Sequence, residues 1–179
     1  RLFLFASRDV WFVVALPVFL KGSLGWSFNQ VGSFMAAWVI GYGFVQAAAP
    51  KFVRHMHPNR VAVSWAVILT VATAVLALAM QVDFFPVPSL LIGLAIFGII
   101  FAVNSAVHSY LILAYTDHDQ VALNVGFYYM ANAWGRLLGT LLSGLVYLFG
   151  GLTACLWTSA GMILLAAVLT MPLNKKSHA

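Results

Sequence analysis

A chain of 179 residues that is 63% hydrophobic and only 7% charged is not an ordinary soluble domain. Soluble domains are roughly half apolar and about a quarter charged, and they cannot hide this much apolar surface from water. The formal net charge of +5 does not point to nucleic acid, because the basic residues sit mostly at the ends of apolar segments and no aromatic-basic surface module accompanies them.

A bilayer core of roughly 30 Å takes about 20 apolar residues per helix, and on that measure the chain predicts six spans. The first covers about residues 2–24, with a kink expected at Pro17. The second covers 28–50 and the third 61–82, each bounded by Gly, Pro, Asn or charge. The fourth covers 88–115, the fifth 122–149 and the sixth 152–171. Connections this short make neighbouring spans antiparallel and leave no room for a second domain. The expected fold is therefore an all-α integral membrane bundle of six transmembrane helices. Apolar segments recur to the end and no short cleavable segment stands first, so a secretory signal does not explain them. The start at Arg1 rather than Met gives the expectation of a fragment whose upstream part is missing.

Lys and Arg are retained on the cytoplasmic side of short loops. The stretch Lys51-Phe-Val-Arg54-His55-Met-His57-Pro-Asn-Arg60 and the tail residues Lys175 and Lys176 fall on one side of a six-span bundle. The opposite connections hold only Lys21 and Asp83, and the Gly150-Gly151 turn is uncharged. Both ends are expected to be cytoplasmic. The acidic loop Asp117-His118-Asp119 does not change this, since acidic residues contribute little to the rule.

Polarity is unevenly shared among the spans. The third and sixth hold nothing more polar than Ser, Thr, Trp and Cys and read as peripheral, lipid-facing helices; Cys155 there reads as a small core residue. The first carries Arg8 and Asp9, the second Gln46, the fourth Asn104 and His108, and the fifth Asn132 and Arg136. Charge inside a bilayer costs about 2.5 to 3.5 kcal/mol per group on insertion scales, so such groups face a cavity or a partner. Arg8 and Asp9, being adjacent, point about 100° apart and are not expected to face the same spot. Asn104 and His108 share a face, with Ser105 and Ser109 beside them. His108 is either a proton relay or a neutral, hydrogen-bonded histidine. Trp38, Tyr42 and Gln46 recur at every fourth position, as packing or as ligand contacts.

In the fifth span Asn124, Tyr128, Asn132, Arg136 and Thr140 also recur at every fourth position and so lie on one helix face. Beside them Gly135, Gly139 and Ser143 form a small-residue seam suited to close helix packing. Arg136 lies near the middle of its span, where two readings stand open. It either ties two helices together through Asp9, or it offers a planar fork of donors to the oxygens of a small anionic substrate. There is no Walker loop, HExxH, GxSxG or carboxylate-histidine cluster of metal-ligand type, so the sequence predicts no enzyme, no cofactor and no metal.

Six spans, a basic loop between the second and third, and polar first, second, fourth and fifth helices resemble the carboxy-terminal half of a twelve-helix major facilitator superfamily transporter. The resemblance implies a missing amino-terminal half, a cavity lined by those four helices, and surrounding membrane lipid. Residues 51–60 take the place of that family's repeated cytoplasmic signature but lack its usual acidic residue. A narrower resemblance is carried by Arg8-Asp-Val-Trp-Phe-Val-Val-Ala-Leu-Pro-Val-Phe-Leu20, Trp38-Val-Ile-Gly-Tyr-Gly-Phe-Val-Gln-Ala-Ala-Ala-Pro50 and Gly126-Phe-Tyr-Tyr-Met-Ala-Asn-Ala-Trp-Gly-Arg-Leu-Leu-Gly-Thr140. These are similar to the ArsJ-type organoarsenical efflux permeases of bacterial arsenic-resistance operons. That likeness implies export of 1-arseno-3-phosphoglycerate across the inner membrane, in functional pairing with a glyceraldehyde-3-phosphate dehydrogenase. Set on this sequence, it makes Arg136 and Arg8 the basic residues placed to hold an oxyanion, with Asn132, Asn104, Tyr128 and Gln46 around it. Asp9 and His108 are then the proton-coupling candidates. The alternatives are another solute for the same fold (a drug, sugar or organic acid) and a scaffold that transports nothing.

Overall fold

The computed structural model describes residues 1–53, 58–114 and 121–171, and all the secondary structure among them is helical. Helices α1 (Leu2–Phe12) and α2 (Ala15–Gly22) together make the first span. Pro17 has no N–H to offer Val13, and its ring crowds that carbonyl. The helix therefore opens at Val13 and Val14, the kink expected from Pro17. The backbone N–H groups of Val14 and Ala15 at the opening are taken by Ser143 Oγ, at 3.3 and 3.0 Å.

Helix α3 (Phe28–Val53) begins with a reciprocal cap. Ser27 N–H donates to Gln30 Oε1 at 2.8 Å, and Gln30 N–H donates to Ser27 Oγ at 3.2 Å. The helix runs through Pro50, where the sequence predicts its end, because one proline removes a single intrahelical bond without dissolving the turns on either side. Helices α4 (Pro58–Gln81) and α5 (Pro86–Ala114) begin earlier than predicted. Each opens on a proline, whose fixed φ and missing N–H suit the first helical position.

Helix α6 (Val121–Thr170) is 50 residues long, or about 75 Å if straight, more than twice the bilayer core. It is not straight. Non-helical Gly150 and Gly151 interrupt it, and Gly151 has φ 63°, a backbone that glycine alone adopts without cost. The Cys155 thiol donates to the Ser143 carbonyl at 3.8 Å. On a continuous helix residues twelve apart stand roughly 18 Å from each other. The chain thus folds back at the two glycines, giving a first arm (121–149) and a second arm (152–170) that match the predicted fifth and sixth spans.

Helix α1 lies along α6; α4 packs on α5 and α6, and α3 packs on α5. Lipid tails are as apolar as leucine, so membrane helices associate through close packing more than through the hydrophobic effect. Where α1 meets the first arm, a Cβ on Gly135 would stand 2.3 Å from the Leu2 carbonyl oxygen, and one on Gly139 would stand 2.7 Å from that of Ala6. The second arm touches the same helix through Ser159 Oγ, which donates to the Ser7 carbonyl at 2.6 Å. Between α1, α3 and α5 sits an aromatic core. Fully buried Trp11 meets Phe97 at 4.9 Å and Trp38 at 5.8 Å between ring centroids. The Trp38 ring nitrogen donates to the Leu94 carbonyl at 2.9 Å.

Helix α4 and the second arm each present an apolar outer face, with Ile68, Val71 and Val75 on one and Leu164, Leu165 and Leu169 on the other. The expectations that rest on Arg54, His55, His57, Asp117, His118, Asp119, Lys175 and Lys176 concern residues outside those described.

Candidate functional site

Asp9 is the buried centre of a charged cluster. Its side chain is 1% exposed, and Arg8 grips one carboxylate oxygen, Oδ1, with Nη2 at 2.6 Å and Nε at 2.7 Å. Arg136 reaches the other oxygen, Oδ2, with Nε at 3.4 Å. The expectation that Arg8 and Asp9 face different spots is corrected here: their Cα–Cβ directions diverge, but the long arginine stem curls back far enough to close the gap. A carboxylate removed from water and left unpaired is strongly destabilising, and two guanidinium groups relieve that.

The packing seam and the charged cluster are one construction. A Cβ on Gly139 would come within 2.9 Å of the Asp9 Cβ. Glycine at that position lets α1 approach closely enough for Asp9 to meet Arg136, one turn earlier on the same arm. The exposures of the two arginines differ: the Arg8 side chain is 15% exposed and that of Arg136 is 64% exposed. Arg136 is thus tethered by one nitrogen while most of its side chain stands open.

A second cationic centre escaped the sequence reading. Arg1 turns inward, so Arg8 and Arg136 are not the only basic groups at the site. Its Nη1 donates to Ser105 Oγ at 3.2 Å; the two hydrogens of its Nη2 are shared among three acceptors, the Ser105 carbonyl at 2.9 Å, Ser109 Oγ and the Tyr128 hydroxyl. Its guanidinium carbon lies 4.3 Å from the Tyr128 ring centroid and 5.1 Å from that of Phe5. Ser109 Oγ and the Tyr128 hydroxyl are themselves 2.7 Å apart, which joins α5 to the first arm. The signal in the sequence was the four-residue spacing of Ser105 and Ser109. It lacked a partner, because a residue at the start of a span reads as one that reaches outward.

Asn104 is fully buried, and neither its Oδ1 nor its Nδ2 has a hydrogen-bond partner among the described residues. The same holds for Asn132 Oδ1. His108 donates from Nδ1 to the Asn104 carbonyl one turn back, at 2.9 Å, since a carbonyl can only accept. Trp38 and Tyr42 stack with centroids 5.8 Å apart, and Gln46 is half-buried one turn further along α3. Gly135, Gly139 and Ser143 are all buried where the first arm meets the first span. Among the described residues no group of three His, Cys, Asp or Glu side chains is placed to hold a metal ion.

Three guanidinium groups and one carboxylate leave a surplus of positive charge here, and Ser105, Ser109 and Tyr128 lie against one of the three guanidinium groups, donors of the kind that can hydrogen-bond an anion.

The sequence model described as Major Facilitator Superfamily matches residues 2–179 of the chain. The quinolone resistance protein NorB of Staphylococcus aureus (strain Newman) is 24% identical over 174 residues, which is 93% of this chain and 38% of that protein. NorB of the bovine strain RF122 / ET3-1 is 23% identical over the same share of each. The chain therefore spans well under half the length of these relatives.

Proposed function

The chain belongs to the major facilitator superfamily, a family of transporters, and on that premise we propose that it is the carboxy-terminal six-helix half of a secondary transporter that exports a small anionic organoarsenical, 1-arseno-3-phosphoglycerate. The observation that carries this reading is the charged cluster itself. Arg8 and Arg136 share one carboxylate, Arg136 is largely open, and Arg1 adds a further cation against Ser105, Ser109 and Tyr128. A molecule bearing phosphate and arsenate groups needs such donors. The resemblance of residues 8–20, 38–50 and 126–140 to ArsJ-type permeases supports the same substrate.

In this reading Arg136 takes an oxyanion, Arg8 assists, and Asn132, Asn104, Tyr128 and Gln46 orient the remaining polar groups. Asp9 couples a proton to the cycle. Once protonated it no longer compensates the two arginines, which leaves both to the substrate; His108 is the other candidate for that role. This half rocks against an amino-terminal half around a site near the midplane. The protein sits in the bacterial inner membrane with both ends of this chain cytoplasmic, and a glyceraldehyde-3-phosphate dehydrogenase supplies the substrate.

The test is arsenic release from cells carrying the complete gene and the dehydrogenase, with wild type compared against Arg136→Gln at matched membrane level. Release by wild type and at least about tenfold less by the variant is expected; equal release would remove Arg136 from the site. One observation favours a second reading, export of a flat aromatic drug: the cluster of Trp11, Trp38, Tyr42 and Phe97, together with the likeness to quinolone resistance proteins. Quinolone efflux that persists in Arg136→Gln, with no arsenic release by wild type, would favour it.

A further inference from the structure

Lys21 takes no part in the charged cluster. It lies in the last turn of α2, and with Asp83 it is one of two charged residues at the end of the bundle away from Lys51. Lys and Arg are retained on the cytoplasmic side of short loops, so on the expected orientation a lysine at this end runs against the usual bias. Asp83 does not account for it, because the two ion pairs among the described residues both belong to Asp9. The helix dipole favours a cation at a helix C-terminus, but it does not explain the hollow beside this one.

Between α2 and the start of α3 lies an open groove of about 370 Å³, lined by Pro17, Val18, Lys21, Gly22, Phe28 and Val31, and its walls are apolar almost throughout. A Cβ on Gly22 would meet nothing within 4 Å, so the groove is open on that side. The Lys21 ammonium lies 4.5 Å from the ring centroid of Phe28, which is itself largely exposed. That contact keeps the charge at the mouth of the groove. The first two apolar spans run Leu2–Gly22 and Phe28–Ala49, so Lys21 and Phe28 stand where both meet the bilayer surface. Pro17 and Val31 lie about one turn from them toward the middle of each span. The groove is therefore cationic at its rim and apolar along its descent toward the acyl chains.

We propose that this groove binds one anionic phospholipid, with the phosphate on Lys21 and an acyl chain along Pro17, Val18 and Val31. The two halves of the groove select the occupant together. A soluble anion uses the lysine and leaves the apolar walls wet; an uncharged chain fills the walls and leaves the lysine without a counter-charge. A zwitterionic phospholipid brings a second cation beside the first, whereas an anionic one does not. A lipid seated there touches α2 and α3 at once, and so ties the short helix beyond the opening at Val13 and Val14 to the second span. The site is separate from the charged cluster and independent of the solute carried.

The test uses the purified full-length transporter in detergent and three probes: dioleoyl phosphatidylglycerol, dioleoyl phosphatidylcholine with the same chains, and soluble glycerol 3-phosphate, which has none. Native mass spectrometry during titration gives the affinity of the first lipid bound. Wild type is expected to prefer phosphatidylglycerol to phosphatidylcholine by about fivefold, the weight of one basic residue facing an anionic lipid. Lys21→Gln should bring that ratio close to one, and Lys21→Arg, which keeps the charge, should restore it. Val18→Phe, which fills the groove from an exposed position, should weaken both lipids about fourfold, the weight of one buried methylene. A wild-type ratio near one, or a ratio that Lys21→Gln does not change, overturns the site. Lipid affinities that Val18→Phe leaves untouched overturn it as well, since the chain then lies elsewhere. So does glycerol 3-phosphate that displaces phosphatidylglycerol at matched concentration, because the lysine would then be taking free phosphate and not a lipid.

Discussion

The two arms of α6 lie against the same helix and do different things there. The first arm meets α1 through Gly135 and Gly139, close enough that a Cβ at either would strike backbone, and carries Asn124, Tyr128, Asn132 and Arg136 at every fourth position beside that seam. The second arm meets α1 through buried Ser159 and turns Leu164, Leu165, Val168 and Leu169 outward. Both are long, largely apolar runs within a helix that is apolar enough to cross a membrane, so hydrophobicity does not separate them. What separates them is the polar neighbour of the close-packed face: on the first arm, tight packing brings Arg136 to a buried carboxylate on α1; on the second, the polar contact described with α1 is one neutral hydrogen bond, from Ser159 to the Ser7 carbonyl.

Changes on the α1 face toward the first arm are therefore expected to be the most damaging. Asp9→Asn comes first. It leaves Arg8, largely buried, without a counter-charge and is expected to cost about 3 kcal/mol, the low end for breaking a buried pair because the Arg136 side chain is not buried within this chain. Thermal unfolding of the purified full-length protein should show a clear drop, and an unchanged melting temperature would mean that the carboxylate is not needed to hold the cluster. Gly139→Leu follows. The added side chain has backbone on its near side, at 2.7 Å from the Ala6 carbonyl already for a Cβ, and overpacking of this kind costs about 1 to 3 kcal/mol. The expected readout is less folded transporter in the membrane, together with separation of Asp9 from Arg136. Normal accumulation with normal transport would show that α1 can shift without loss. Arg136→Gln is third, expected to leave the bundle folded and to lower transport about tenfold; an equal loss of folded protein would make Arg136 a tie between helices and nothing more.

The order of these effects tracks what the sequence could reveal. Helix existence and the Pro17 kink were legible because they follow from apolar run length and from a ring that cannot donate a hydrogen bond. The polar stripe and the adjacent glycine seam of the first arm were legible for a similar reason, since helical periodicity alone puts residues on a face. The Arg8–Asp9 contact was not, because periodicity tracks Cβ directions, and an arginine reaches several ångströms beyond its own. Arg1 was missed for the same physical reason, compounded by its place at the edge of a span, where long cationic side chains usually run out to the interface. Ser143 read as a small packing residue; that its hydroxyl also receives two backbone N–H groups at the opened turn depends on a break in a different helix. Burial of Trp11 among Trp38 and Phe97 likewise depends on three helices meeting, which no single span announces.

The smallest effect is expected on the second arm, from Ser159→Ala. Ser159 is fully buried, and its hydroxyl donates to the Ser7 carbonyl at 2.6 Å, so the substitution removes the one polar tie described between this arm and α1. Interhelical hydrogen bonds in membrane proteins nonetheless average only about 0.6 kcal/mol. The acceptor, a carbonyl within α1, keeps its place in the helical ladder, and the loss of one oxygen atom leaves little void. The melting temperature should therefore shift slightly and transport should match wild type at equal membrane level. On this view the second arm acts on α1 chiefly by shape. A tenfold loss of transport in Ser159→Ala would break it, because α1 would then be positioned from both sides, and the register of Asp9 against Arg136 would depend on the second arm as much as on the first.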